Sequence, residues 1–124
     1  MDKQNHDDLT VAELVELFEK IGIEQDRLFY TGETAKYKRL YKKFEATRKA
    51  LKAKPGDGRR ALEPQLSHPN LRVRLNAATE FLVFDRERAI AVIEDIRVKG
   101  RYNHNAVDAG FTIRNMEKGI FVPD

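Results

Sequence analysis

The chain has no cysteine, which removes a disulfide framework, a thiol nucleophile and a thiolate metal site, and leaves nothing pointing to an oxidising compartment. Its histidines, His6, His68 and His104, never stand three or four residues apart. The helical spacing that brings two imidazoles onto one metal is therefore missing. No window approaches the roughly 20 apolar residues of a membrane-spanning helix. The start, Met1 to Asp8, is polar and acidic where a secretion signal needs a basic and then an apolar run. These absences predict a cytoplasmic protein with no cofactor, no metal and no membrane partner. At 124 residues the chain fits one domain of ordinary size.

Charge is present in quantity but unevenly placed. The net charge is +3 and the pI about 9.2. Residues 1–32 hold eight acids against three bases, a net −5, whereas 33–60 hold eleven bases against three acids, a net +8. The remainder balances at nine of each sign. An acidic first helix lying beside a basic second one is the plainest account, since neighbouring helices gain from opposite charge along a shared rim.

Periodicity predicts helices throughout. Thr10-Val11-Ala12-Glu13 is a capping-box pattern, so a helix starts there. It carries Leu14, Phe18, Ile21 and Leu28 on one face, flanked by Leu17 and Phe29, and ends at Gly32. Gly22 marks a kink or a close helix contact. A second helix runs from about Thr34 to Ala53 on Tyr37, Leu40, Tyr41, Phe44 and Leu51. Lys54-Pro55-Gly56-Asp57-Gly58 then breaks the chain.

Beyond the break, Arg59 to Leu82 reads as a helix, a turn at Ser67-His68-Pro69-Asn70 and a second helix on Leu71, Val73, Ala77, Ala78, Phe81 and Leu82. Pro64 falls inside the first of these and bends it. Asp85 caps a helix from Arg86 to about Val98, closed by Gly100, and the last helix runs from Asn103 or His104 to Met116. The tail, with Ile120, Phe121 and Val122, is expected to fold back over that last hairpin.

One hairpin cannot bury its own face and must stack on neighbours. Asn76-Ala77-Ala78 and Asp108-Ala109-Gly110 recur 32 residues apart, close to the period of hairpin repeats. The wording of 62–78, leucines before S-x-P and then V-R-x-x-A-A, is similar to a HEAT-type repeat. Taken with Ile21-Gly22 and Gln25-Asp26, HPNxxVRLNAA (68–78) and DAGFTIRNMEKGIF (108–121), it resembles a small bacterial family known only as a domain of unknown function. That resemblance implies a compact, armadillo-like helical domain and carries no activity or catalytic residues.

Candidate chemistry is sparse. His68 belongs to a turn and His104 to a helix start, where a ring satisfies free backbone groups. Gly56-Asp57-Gly58-Arg59-Arg60 precedes a helix as an anion-binding loop does. It lacks the lysine-serine ending and the preceding strand of a phosphate-binding loop, and a plain linker is the stronger reading. Lys36, Lys38, Arg39, Lys42, Lys43, Lys49 and Lys52 interleave with Tyr37 and Tyr41. This run reads first as a solvated face paired with the acidic helix, then as a site for an acidic partner, then for nucleic acid. Asp108, Arg114 and Glu117 come with no nucleophile or base pattern that would make them a catalytic set.

The expectation is thus an all-α fold, a short α-α superhelix of three HEAT- or armadillo-like hairpins. Their bounds are about 10–53, 58–83 and 86–116, after a polar tail 1–9 and before a C-terminal tail 117–124. Function in such folds sits on the surface made by the second helices. The reading is a non-enzymatic bacterial protein-binding module, an adaptor or immunity-type inhibitor, with an unidentified protein partner met by Arg72, Arg74, Glu80 and Arg114. At least one of Arg72 and Arg74 is expected to be structural. The alternative is a nucleic-acid binder using the basic face of Lys38, Arg39, Lys42, Lys43 and Lys49.

Overall fold

The computed structural model describes residues 5–100 and 103–124. These are all-helical, with no strand among them. The chain divides into two compact units, Met1–Leu62 and Glu63–Asp124.

The first unit is a long hairpin of α1 (Val11–Thr31) and α2 (Thr34–Ala53). The capping box at its start is formed in both directions: the Glu13 amide donates to the Thr10 hydroxyl at 3.1 Å, and the Thr10 amide donates to the Glu13 carboxylate at 2.9 Å. That backbone donor holds the Glu13 carboxyl below its ordinary value. Gly32, at φ 70°, ends α1 in the left-handed conformation that only glycine adopts freely. Gly22 is buried within an unbroken α1.

The core of this hairpin is offset toward its open end. Leu14, Phe18, Ile21 and Leu28 of α1 are buried, but α2 contributes only Phe44, Thr47, Ala50 and Leu51. The Phe18 and Phe44 rings meet at 5.3 Å. Tyr41, read as core from its spacing, is instead 51% exposed, and Phe29 is 53% exposed. Within the unit, toward the Gly32 turn, each helix has little but the other to pack on, and two helices side by side cover one face each.

A 3-10 helix, Gly58–Ser67, follows and carries the division between the units. The expected bent α-helix is therefore corrected. Pro64 has no amide to donate and its ring would strike the carbonyl four residues back, so tighter i to i+3 turns replace α turns. The Arg60 amide opens the segment on the Asp57 carbonyl at 3.2 Å, and the His68 amide closes it on Gln65 at 3.2 Å.

The second unit holds α3 (Leu71–Phe81), α4 (Arg86–Lys99) and α5 (His104–Glu117). Each start is capped by a side chain, Asn70, Asp85 and Asn103 respectively. Asn70 is itself held by the His68 ring, whose Nδ1 accepts its amide at 2.9 Å. Ala77, Ala78, Ile93, Ile96 and Ala109 form the centre. Gly100 is needed because a Cβ there would sit 2.8 Å from the Ile96 carbonyl and 3.1 Å from Ala106. The tail turns back only at its root, where the Ile120 and Phe121 amides both donate to the Asn115 carbonyl. Of the three apolar tail residues Phe121 is partly buried, whereas Ile120 and Val122 remain 71% exposed, so the expected cover over the last hairpin is limited to Phe121.

Candidate interaction surface

The residues singled out in the second unit do not make a free surface. Arg72, in the first turn of α3, forms an ion pair with the Asp108 carboxylate on α5. Arg74 donates from Nε to the His68 carbonyl at 2.9 Å, and its Nη1 lies 3.6 Å from Asp95 on α4. Glu80, expected among the accessible positions, is buried. Buried residues run round most of α3, which leaves it scarcely any outward face. Arg114 alone of the four is exposed, its guanidinium 5.0 Å over the Phe111 ring.

The glycine-arginine loop before the 3-10 helix is also spoken for. Arg59 is 2% exposed, and its Nε and Nη2 donate to the two carboxylate oxygens of Asp57 at 3.0 and 2.8 Å. Asp57 takes φ 64° to reach it. The hydrogen bonds from Arg59, chiefly those of its side chain, hold the Asp57 carboxyl below its ordinary value. An anion arriving at this loop would compete with a carboxylate already seated there.

The basic helix is different. Lys38, Arg39, Lys42, Lys43 and Lys49 are exposed, and none has an ion-pair partner among the described residues. For these five, the expected pairing with the acidic first helix is not made. Two acids of α1 bond along their own helix: Glu16 meets Lys20 at 3.0 Å, and Glu24 meets Arg27. Neighbours three or four residues apart on one helix stand closer than residues facing across a hairpin. At the turn, Glu33 takes Lys36 at 2.7 Å, which with the Thr31 hydroxyl holds its carboxyl below the usual value.

At 3.6 residues per turn, Lys38, Lys42 and Lys49 lie along one line on α2, with Arg39 and Lys43 on its flank. Tyr41 borders that line. Partial desolvation and the nearby Glu45 carboxylate push its phenol above the ordinary value. Exposed aromatics continue onto the end of α1, where Tyr30 is 66% exposed and its ring meets Phe29 edge-on at 5.4 Å. The sequence reading missed Phe29 and Tyr30 as surface groups. Their adjacency was a signal, because two consecutive side chains on a helix cannot both face one partner.

Among the described residues no group of three or more histidine, aspartate or glutamate side chains is gathered so as to hold a metal ion. No described helix is long and apolar enough to cross a membrane.

Residues 12–117 match the family described as a domain of unknown function, DUF2019, and the chain belongs to that family. Among solved structures it is similar to the protein RPA1889 from Rhodopseudomonas palustris CGA009. The two share 31% identity at a TM-score of 0.90, with 98% of this chain and 100% of the other covered. No match was found among curated proteins.

Proposed function

We propose that the protein is a non-catalytic, cytoplasmic protein-binding module, an adaptor or an immunity-type inhibitor, whose recognition surface is the exposed basic face of α2 and whose partner is an acidic polypeptide segment. One observation carries this reading. Lys38, Arg39, Lys42, Lys43 and Lys49 are exposed without an ion-pair partner among the described residues, while Glu16 and Glu24 of the adjoining helix pair with Lys20 and Arg27 of that same helix. Like charges four residues apart, as at Lys38/Lys42 and Arg39/Lys43, destabilise a helix. An acidic partner relieves that repulsion. The HEAT- or armadillo-like reading belongs to the same proposal, and the succession of α3 on α4 and α4 on α5 through short connections supports it.

A polypeptide suits this face better than nucleic acid does. The whole chain is only +3, and α1 beside the basic helix carries a surplus of acids that a long polyanion would meet. Of the two tyrosines interleaved with the basic run, Tyr37 is half-buried in the hairpin, which leaves Tyr41 as the single ring beside the lysines on which a base could stack. The test is fluorescence anisotropy with a labelled glutamate-serine peptide and an oligothymidylate of matched charge. The peptide should bind more tightly at physiological salt, and a Lys38→Glu/Lys42→Glu/Lys49→Glu variant should lose it. Tighter binding of the oligonucleotide would instead make this a nucleic-acid surface. Peptide binding that the triple variant retains would place recognition off α2.

A further inference from the structure

At the turn of the long hairpin, Leu28 and Phe29 of α1, Gly32 and Glu33 of the turn, and Thr34 and Tyr37 of α2 line an open cleft of about 200 Å³. That space equals about six or seven waters at about 30 Å³ each. It falls short of the roughly 300–1,000 Å³ of sites that hold cofactors and small molecules. Its walls are apolar, from buried Leu28 at the base to half-exposed Phe29. Its mouth stays open at Gly32, where a Cβ would meet nothing within 4 Å. An open cleft of this size and lining has room for one side chain.

Thr34, Lys38, Lys42 and Lys49 follow one face of α2. From Thr34 to Lys49 is about 22 Å at about 1.5 Å per residue, a length covered by about seven residues of extended chain at about 3.3 Å each. We propose that the cleft is a socket for one apolar anchor, a leucine or phenylalanine, at one end of an acidic segment whose carboxylates lie along Lys38, Lys42 and Lys49. This rests on the reading of α2 given above and adds the anchor to it. Charge alone sets the direction of approach, and a filled socket fixes the register.

The probe is a set of labelled peptides of about eight residues, glutamate and serine throughout, with a single leucine moved through every position and an alanine control. For the wild-type protein, leucine at one terminal position should tighten binding about tenfold or more over alanine, the scale of a buried anchor. Thr34 is exposed, so Thr34→Phe, with Thr34→Leu as a smaller filling, should melt as wild type does. Either filling should remove the leucine advantage. If acidic peptides bind but leucine gives no advantage anywhere, the socket is refuted while the acid-binding face stands. A leucine advantage that survives both fillings also refutes it. If no peptide binds, both proposals fall.

Discussion

Asp57 is an aspartate in left-handed backbone, and its reward is a seat against a guanidinium that is almost wholly buried. Removing the charge while keeping a residue that tolerates that conformation isolates the pair. Asp57→Asn should cost about 2 kcal/mol in urea unfolding, the range for hydrogen bonds to charged groups. The folded carboxyl lies below its ordinary value of 3.8. Its contribution is therefore full above about pH 4 and is lost as pH falls through the lower folded value. The wild-type advantage over Asp57→Asn should shrink in that acid range and be constant at neutral pH. A second contrast separates arginines that look alike in sequence. Arg72→Glu, which sets a carboxylate against Asp108, should cost about 1–2 kcal/mol, whereas Arg114→Glu should stay within about 0.5 kcal/mol, as measured by thermal melts. Local partners were legible from the sequence, since His68 and Asn70 stand beside the amides they accept. Arg72 and Asp108 were not, because 36 positions separate them and no spacing rule reaches that far.

At the scale of the helix, boundaries were legible because caps are short-range chemistry. Thr10 with Glu13, Gly32, Asp85 and Gly100 all stand at ends the chain announces. What spacing cannot tell is whether anything covers an apolar face. Tyr41 and Phe29 continue the stripes of their helices and yet are half-exposed, so the most informative surface lay hidden inside a correct periodicity. Pro64 misled differently, because a proline that bends an α-helix and one that sits in a 3-10 helix leave the same trace in sequence. The burial pattern is tested by a pair of substitutions. Ala77 is 0% exposed on α3, so Ala77→Asp should cost about 3 kcal/mol or more and lose the native amide spectrum of residues 63–124. Tyr41→Ala should cost about 1 kcal/mol or less by the same melts.

Over the whole chain, a modest net charge conceals a large separation of sign, and that separation was legible from the start. Its meaning was not, since opposite charges on adjoining helices suggest mutual pairing, whereas Lys38, Arg39, Lys42, Lys43 and Lys49 have no ion-pair partner among the described residues. If the basic cations all met duplex DNA, binding would fall with a slope of about −4.5 in log affinity against log salt for five neutralised phosphates. The account predicts duplex binding in the weak non-specific range, about 10⁻⁴ M at physiological salt. The claim at its centre, that recognition belongs to the exposed face of α2, is tested most directly by amide chemical-shift mapping of the labelled protein as the acidic peptide is added. The account predicts shifts concentrated in residues 34–49 and at the Gly32 turn, with little change near Arg72, Arg74 and Arg114. Shifts gathered on α3 and α5 with α2 silent would contradict it.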